Sequence, residues 1–214
     1  MRLIGHRGCA ARGPENTLAA IERAAPHVDA VEIDVRRCGS GELVVVHDAA
    51  LDRLVGVDRR VSATPWSELR DLRVLDSDQR IPSLADVVEV LPPTTGLNVE
   101  LKEGGLASDV DRAVSDHPDV WVSSFDPEAL AETSLPRALL FADDWDGSVA
   151  TAEALDCDAV HPHYDLVLDT PERVAAAHDT TFEVNVWTPP VAVVPTLRAA
   201  GVDGVIVDDW AVPW

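Results

Sequence analysis

The chain has 214 residues and a formal net charge of −21 at pH 7, from 38 acidic and 17 basic residues. A surface this acidic disfavours nonspecific attraction to nucleic acid or anionic lipid, so we expect neither as a partner. No stretch approaches the roughly 18 consecutive apolar residues of a membrane span, so we expect no membrane insertion. The length fits one domain with a large core, residues 1–214.

The net charge and the cysteines predict the kind of cell compartment in which the protein works. Repulsion among so many acidic groups strains a compact fold in dilute buffer, whereas at about 1 M salt the Debye length is about 3 Å and the repulsion is screened. We therefore expect a halophilic protein, with an acidic mesophilic protein as the alternative. Cys9, Cys38 and Cys157 are scattered and fit small buried residues in a reducing compartment. Because the first predicted strand begins by residue 2, we expect no signal peptide and a cytoplasmic location.

Short β-branched and apolar runs alternate with amphipathic stretches along the chain. The runs predict eight strands, at residues 3–7, 30–35, 97–102, 120–125, 138–142, 159–163, 182–187 and 204–209. The stretches between them have helical composition and period. This alternation predicts an α/β fold, a compact (β/α)8 TIM barrel, with a doubly wound open sheet as the alternative.

One segment interrupts the alternation after the second strand. Gly39, Ser40 and Gly41 predict a turn into another β-branched run, so the second strand extends into a hairpin. Residues 49–82 follow with weak periodicity, and we predict that they form a small insertion at the barrel mouth. Ser83 is the predicted N-cap of the next helix.

Polar side chains collect at the C-terminal ends of the first three predicted barrel strands: His6, Arg7, Glu32, Asp34, Glu100 and Lys102. In a barrel these ends form the rim where ligands bind. The two-residue spacing within the second and third strands places both side chains of each pair on one face. Neighbouring strands lie about 4.8 Å apart, so the three carboxylates converge within reach of one ion.

Three converging carboxylates repel one another unless a cation lies among them or one takes up a proton. Ligands that are all oxygens favour Mg²⁺ or Ca²⁺ over zinc. We therefore predict one divalent cation, Mg²⁺ or Ca²⁺, on Glu32, Asp34 and Glu100. The alternative is a structural network in which Arg7 and Lys102 neutralise the carboxylates.

Two histidines are candidates for proton transfer. His6 lies at the end of the first strand and His47 at the end of the hairpin strand, where the two can face each other as an acid/base pair. The alternative for each is an ordinary hydrogen-bonding role.

Several residues in the second half of the chain carry weaker signals. Phe125 and Trp187 stand at later strand ends and are predicted to line the pocket, with core packing as the alternative for each. His161 and His163 are predicted to have hydrogen-bonding or pocket roles rather than catalytic ones.

Taken in order, the motifs resemble those of the glycerophosphodiester phosphodiesterase family. The resemblance rests on HRG at 6–8, PENT at 14–17, E-x-D at 32–34, HD at 47–48 and E-x-K at 100–102. It extends over essentially the whole chain. It implies a TIM barrel with a small insertion and the hydrolysis of glycerophosphodiesters, small-molecule substrates, to glycerol phosphate and an alcohol.

Carried over by position, the resemblance implies metal ligation by Glu32, Asp34 and Glu100. It also implies that His6 and His47 act as general acid and base, with neither role assigned to a particular histidine.

The same resemblance implies that Arg7 and Lys102 contact the phosphate. Lys102 is the only lysine in the chain, and its compact ammonium is not interchangeable with the planar guanidinium of arginine. Its retention in a chain that otherwise uses arginine therefore indicates a specific role.

Two other functions are alternatives. A related barrel phosphodiesterase could act on lysophospholipid headgroups, although the acidic composition and the absence of a basic amphipathic helix from the sequence argue against work at a membrane surface. A noncatalytic protein that binds a metal or a phosphoester is the other alternative, because a fold alone does not establish activity. The sequence gives no prediction of the oligomeric state.

Overall fold

The computed structural model describes residues 1–213 and forms a closed barrel. Its strands are β1 (Arg2–Gly5), β2 (Ala30–Arg37), β3 (Leu43–Val45), β4 (Gly96–Leu101), β5 (Val120–Ser124), β6 (Arg137–Phe141), β7 (Ala159–Pro162), β8 (Glu183–Trp187) and β9 (Gly204–Val207). All except β3 pair in parallel, in the order β1, β9, β8, β7, β6, β5, β4 and β2, and β1 pairs with β2 to close the ring. The predicted (β/α)8 barrel is confirmed, and the open-sheet alternative is wrong.

Helices connect the barrel strands. They are α1 (Leu18–Ala24), α2 (Asp52–Val55), α3 (Trp66–Leu69), α4 (Leu84–Val90), α5 (Ala107–Ala113), α6 (Pro127–Leu130), α7 (Trp145–Ala154), α8 (Tyr164–Asp169), α9 (Glu172–Asp179) and α10 (Val194–Ala200). Ser83 caps α4 as predicted, because its hydroxyl accepts from the Asp86 N–H while the Asp86 carboxylate accepts from the Ser83 N–H. Over residues 1–213, no helix has both the length and the apolar character needed to span a bilayer.

The hairpin and residues 49–82 share an apolar cluster that is separate from the main core. The short β3 runs antiparallel to β2, as the turn at residues 39–41 predicts. Residues 49–82 contain α2, α3 and the 3-10 turn Val61–Ala63. A buried apolar cluster joins this segment to the hairpin, and it includes Val44, Val46, Leu51, Leu54 and Leu69.

Strand periodicity divides the barrel between core and site. On β2, Val31, Ile33 and Val35 belong to the large apolar cluster packed beneath the helices. The alternate residues, Glu32 and Asp34, point to the other face, which is the barrel interior. All three cysteines are free and buried, as expected.

The first strand ends two residues earlier than predicted. β1 stops at Gly5, and His6–Gly8 form a 3-10 turn in which Arg7 has a left-handed φ of 51°. A side chain at Gly8, which has φ 75°, would come within 3.0 Å of Ala20. The predicted strand at 3–7 is therefore too long, because the chain must turn sharply where α1 packs against it. The predicted ends of β5, β7 and β9 are likewise one or two residues too late.

Candidate active site

A cavity of about 300 Å³ opens at the C-terminal ends of the barrel strands. Its wall contains eight of the nine predicted site residues: His6, Arg7, Glu32, His47, Glu100, Lys102, Phe125 and Trp187. The ninth, Asp34, is fully buried and forms a cluster with Glu32 and Glu100. The structure therefore brings all nine predicted residues to one end of the barrel.

The three carboxylates converge as the strand spacing predicts. The register sets Asp34 beside Glu100 and Glu32 beside Asn98 on adjacent strands. One oxygen from each carboxylate lies within 4.8 Å of the others. Glu32 Oε1 and Asp34 Oδ1 are buried and have no hydrogen-bond partner among the described residues. Two buried oxygens without hydrogen bonds in a compact all-oxygen cluster fit a hard divalent cation.

The pKa values of the three carboxylates shift in different directions. Burial and the charge of Asp34 raise the pKa of Glu32 to about 8. Burial and Asp34 also raise the pKa of Glu100, although Lys102 opposes this. Burial favours the neutral form of Asp34 too, but the charges of Arg7 and Lys102 lower its pKa below the usual value. If all three carboxylates were ionised, the cluster would carry more negative charge than Arg7 and Lys102 neutralise.

Arg7 is held at the rim by its backbone and by its side chain. Its backbone N–H donates to Glu32 Oε2 at 2.8 Å, which the left-handed turn makes possible. Its guanidinium donates to Glu15 Oε1 at 2.9 Å, and Nε lies 3.2 Å from Asp34 Oδ2. Asn16 donates to the same Asp34 oxygen at 2.7 Å.

Lys102 completes the charged wall. Its ammonium pairs with Glu100 and lies 3.4 Å from Asp34 Oδ1. The side chain is about 11% exposed, so one side of the ammonium contacts carboxylates while the residue also lines the cavity. The ion network considered as an alternative is therefore present, but it lies in the wall of a cavity.

Each candidate histidine is bound to a carboxylate through Nδ1. His6 Nδ1 lies 2.7 Å from Asp208 Oδ1, and His47 Nδ1 lies 2.7 Å from Asp48 Oδ1. In both rings this leaves Nε2 for proton exchange. Burial lowers the pKa of His6, but the Asp208 hydrogen bond and the charge of Glu32 raise it above its ordinary value. Burial lowers the pKa of His47, and the opposing effects of Asp34 and Asp48 do not restore it.

Aromatic side chains form the opposite wall. The Phe125 and Trp187 rings meet edge to face at 5.6 Å, and Trp187 meets the His163 ring at 4.5 Å. Trp187 Nε1 donates to the His161 carbonyl at 3.1 Å, which fixes the indole. Phe125 is 48% exposed, so it is a rim residue and not a core residue.

His161 lies in the barrel interior, outside the cavity wall. It is fully buried, its Nε2 lies 3.2 Å from Asn185 Nδ2, and burial lowers its pKa to about 3. A histidine that stays neutral at all ordinary pH values has the hydrogen-bonding role predicted for it.

The sequence analysis did not identify the carboxylates that hold the functional side chains. Asp208 is 202 residues from His6, and no local pattern links the two. Asp48 lies in the HD motif and Glu15 in the PENT motif. The sequence identified both motifs, but it did not show that Asp48 binds His47 or that Glu15 binds Arg7. The Asp208 carboxylate therefore holds His6, a role that no motif in the sequence indicates.

The fold and site together define a (β/α)8-barrel hydrolase with an acidic cluster and two carboxylate-bound histidines at its rim. The sequence profile of the Glycerophosphoryl diester phosphodiesterase family matches residues 6–108 and 105–212. The chain belongs to this family and is a phosphoric diester hydrolase, as the motif resemblance implied.

Individual relatives agree with this assignment. A glycerophosphodiester phosphodiesterase of Caldanaerobacter subterraneus is 28% identical over 97% of this chain and 93% of its own length. A lysophospholipase D of Rattus norvegicus is 35% identical over 47% of this chain and 36% of its own length. A solved phosphodiesterase of Oleispira antarctica, in complex with the product sn-glycerol-3-phosphate, is 28% identical with a TM-score of 0.88, over 97% of this chain and 93% of that one.

Proposed function

We propose that the protein hydrolyses soluble glycerophosphodiesters to glycerol phosphate and an alcohol. One divalent cation, Mg²⁺ or Ca²⁺, would be held by Glu32, Asp34 and Glu100, and His6 and His47 would exchange protons. The observation that carries the proposal is the cavity itself, which combines a three-carboxylate cluster with two histidines fixed by carboxylates.

The acidic cluster fits the cation by its chemistry. All three ligands are carboxylates, two of their oxygens are buried without a hydrogen bond, and the pKa of Glu32 is raised to about 8. When bound, a divalent ion supplies positive charge to the phosphate oxygens and orients the diester.

Arg7 and Lys102 would bind the phosphate oxygens. Attack on the diester places more negative charge on these oxygens than the substrate carries, so fixed cations stabilise the transition state more than the ground state. Both residues line the cavity and are already oriented by carboxylates, so little reorganisation is needed when the substrate binds.

The two histidines would move the protons. One would remove the proton from the attacking nucleophile, and the other would supply a proton to the leaving alkoxide. Asp48 and Asp208 hold Nδ1 of each ring, so Nε2 is the atom through which the proton passes. Positioned proton transfer of this kind contributes about 10²–10⁴ in rate.

The cavity favours a compact substrate. Its volume of about 300 Å³ lies at the small end of ligand pockets, about 300–1,000 Å³. Phe125 and Trp187 would contact the glycerol or the leaving alcohol. A lysophospholipid substrate is a second candidate because the matched rat relative is named a lysophospholipase D, but its acyl chain would have to extend past the exposed Phe125.

The protein would work as one domain, residues 1–214, with residues 49–82 as an insertion at the barrel mouth. The buried free cysteines support a reducing, cytoplasmic setting, and the net charge of −21 supports a salt-rich one. If the protein is halophilic, its melting temperature rises between about 0.1 M and about 3 M KCl.

Phosphorus-31 NMR tests the substrate assignment. Glycerophosphocholine and glycerophosphoglycerol are incubated with the protein in high KCl with Mg²⁺ or Ca²⁺, beside micellar lysophosphatidylcholine. The proposal predicts glycerol phosphate from the soluble diesters. Turnover of the micellar lipid alone would favour the second candidate, and no turnover of any diester would contradict both.

A further inference from the structure

Arg53 of α2 contacts two carboxylates at once. Its Nε donates to Asp48 Oδ2 at 2.5 Å. Its two terminal nitrogens donate to the two oxygens of Glu15, Nη1 at 3.0 Å and Nη2 at 2.8 Å. Such a bidentate contact fixes the plane of the Glu15 carboxylate as well as its distance from Arg53.

Each of these carboxylates holds a different functional side chain on its other side. Asp48 Oδ1 lies 2.7 Å from His47 Nδ1. Glu15 Oε1 accepts from Arg7 Nη1 at 2.9 Å. A continuous series of contacts therefore runs His47, Asp48, Arg53, Glu15, Arg7, and we call these five residues the Arg53 chain.

Charge and burial favour this arrangement. Glu15 and Asp48 are about 12% and 24% exposed, so their hydrogen bonds are partly shielded from water. Burial raises the pKa of Glu15, but its contacts with Arg53 and Arg7 lower the pKa below the ordinary value. Arg53 therefore places one positive charge between two carboxylates while it fixes the position of each.

We propose that Arg53 is a positioning residue that aligns the proton-transfer group and the phosphate-binding group with each other. One guanidinium fixes both Asp48 and Glu15, so His47 and Arg7 cannot reorient independently. This rests on the roles proposed above for those two residues. Misplacement of reacting groups by a fraction of an ångström is costly, and outer-shell partners of functional residues are typically worth about 10–100-fold.

Four variants and one control test the proposal. Arg53→Ala removes the bridge, and Arg53→Lys keeps the charge without the planar fork. Arg53→Ala with Asp48→Asn, beside each single change, gives a double-mutant cycle. Arg59→Ala is the matched control, because Arg59 is another arginine of residues 49–82 and its guanidinium pairs with Glu68 in solvent.

We expect Arg53→Ala to lower kcat for glycerophosphocholine by about 10–100-fold. It should also weaken the calorimetric binding of sn-glycerol 3-phosphate, which reports on Arg7 without turnover. Arg53→Lys should restore only part of either loss, and the double variant should be no slower than the slower single variant. Arg59→Ala should match the wild type in all of these measurements.

An Arg53→Ala protein with wild-type kcat and wild-type product binding would overturn the proposal, as would a change in melting temperature alone. If the wild type shows no turnover, the proposed function fails, yet calorimetry still decides the role of Arg53. Loss of glycerol phosphate binding in Arg53→Ala but not in Arg59→Ala supports positioning, and equal binding refutes it. A wild type that neither turns over nor binds refutes both.

Discussion

The two halves of the barrel contribute different chemistry to one cavity. Strands β2 and β4 and the residues that directly follow β1, β3 and β4 supply the charged groups of the candidate site that line the cavity: His6, Arg7, Glu32, His47, Glu100 and Lys102. Strands β5 to β9 supply Ser123, Leu140, Ile206 and the aromatic residues Phe125 and Trp187. Under the proposed function, the first half would stabilise charge that develops during the reaction, and the second half would fit the shape of what is bound.

Because of this difference, we expect the charged half to determine the reaction rate and the aromatic half to determine the selectivity for the leaving alcohol. Changes in the charged half should lower kcat for every diester, whereas changes in the aromatic half should alter KM and the preference among leaving alcohols. The variants below test that separation in order of the expected effect.

The largest effect is expected in the charged half, at His47. His47→Ala removes a proton-transfer group and should lower kcat by about 10²–10⁴-fold with little change in KM. His178→Ala is the control, because His178 also pairs with an aspartate but is 41% exposed and lies outside the cavity wall. Steady-state kinetics with glycerophosphocholine measures both; equal kcat values for the two variants would contradict the role of His47.

The second-largest effect on activity is expected at Lys102. Lys102→Ala removes a cation that faces the phosphate and should lower kcat by about 10²-fold or more, the usual cost of losing one oxyanion donor. Lys102→Arg should recover only part of the activity, since a planar fork would replace the compact ammonium that contacts both Glu100 and Asp34. Full activity in Lys102→Arg would show that only the charge at this position matters.

The aromatic half should respond more weakly and more selectively. Trp187→Ala and Phe125→Ala each remove one ring of the edge-to-face pair. We expect kcat/KM to change by less than about tenfold, because one such contact is worth about 0.5–1.5 kcal/mol. The change should differ between glycerophosphocholine and glycerophosphoglycerol. A uniform loss of kcat on both substrates would break the proposed division between the two halves.

The smallest effect concerns stability and pH. The pKa of Glu32 is raised from 4.5 to about 8 in the folded protein, so the stability from this group is present below pH 4.5 and is lost as the pH rises through about 8. A divalent ion that replaces the proton should restore it. The increase in melting temperature on adding Mg²⁺ or Ca²⁺ should therefore be larger at pH 8 than at pH 5, and Glu32→Gln should abolish the difference.

The features that could be predicted from the sequence are those that follow from the regular period of strands and helices. Glu32, Asp34 and Glu100 lie in regular strands and Lys102 directly follows β4, so a spacing of two residues fixes the face and their convergence was predictable. The β/α alternation predicted the barrel for the same reason.

The missed features depend on tertiary contacts. β1 ends early because a left-handed turn at Arg7 replaces the strand, and strand propensity carries no sign of that turn. Asp208 reaches His6 only because β9 closes the barrel beside β1. Arg53 lies in a segment of weak periodicity, so its position between Asp48 and Glu15 follows from packing and not from pattern.

Metal add-back is the most direct test of the central claim, that the acidic cluster supports hydrolysis as a divalent-cation site. Glycerol phosphate release from glycerophosphocholine is followed by phosphorus-31 NMR after chelation, and again after excess Mg²⁺ or Ca²⁺ is added, for the wild type and for Glu32→Gln. The account predicts that chelation stops the wild type, that at least one of the two ions restores it, and that Glu32→Gln stays slow throughout. Full activity of the chelated wild type, or equal rates for the two proteins, would contradict it.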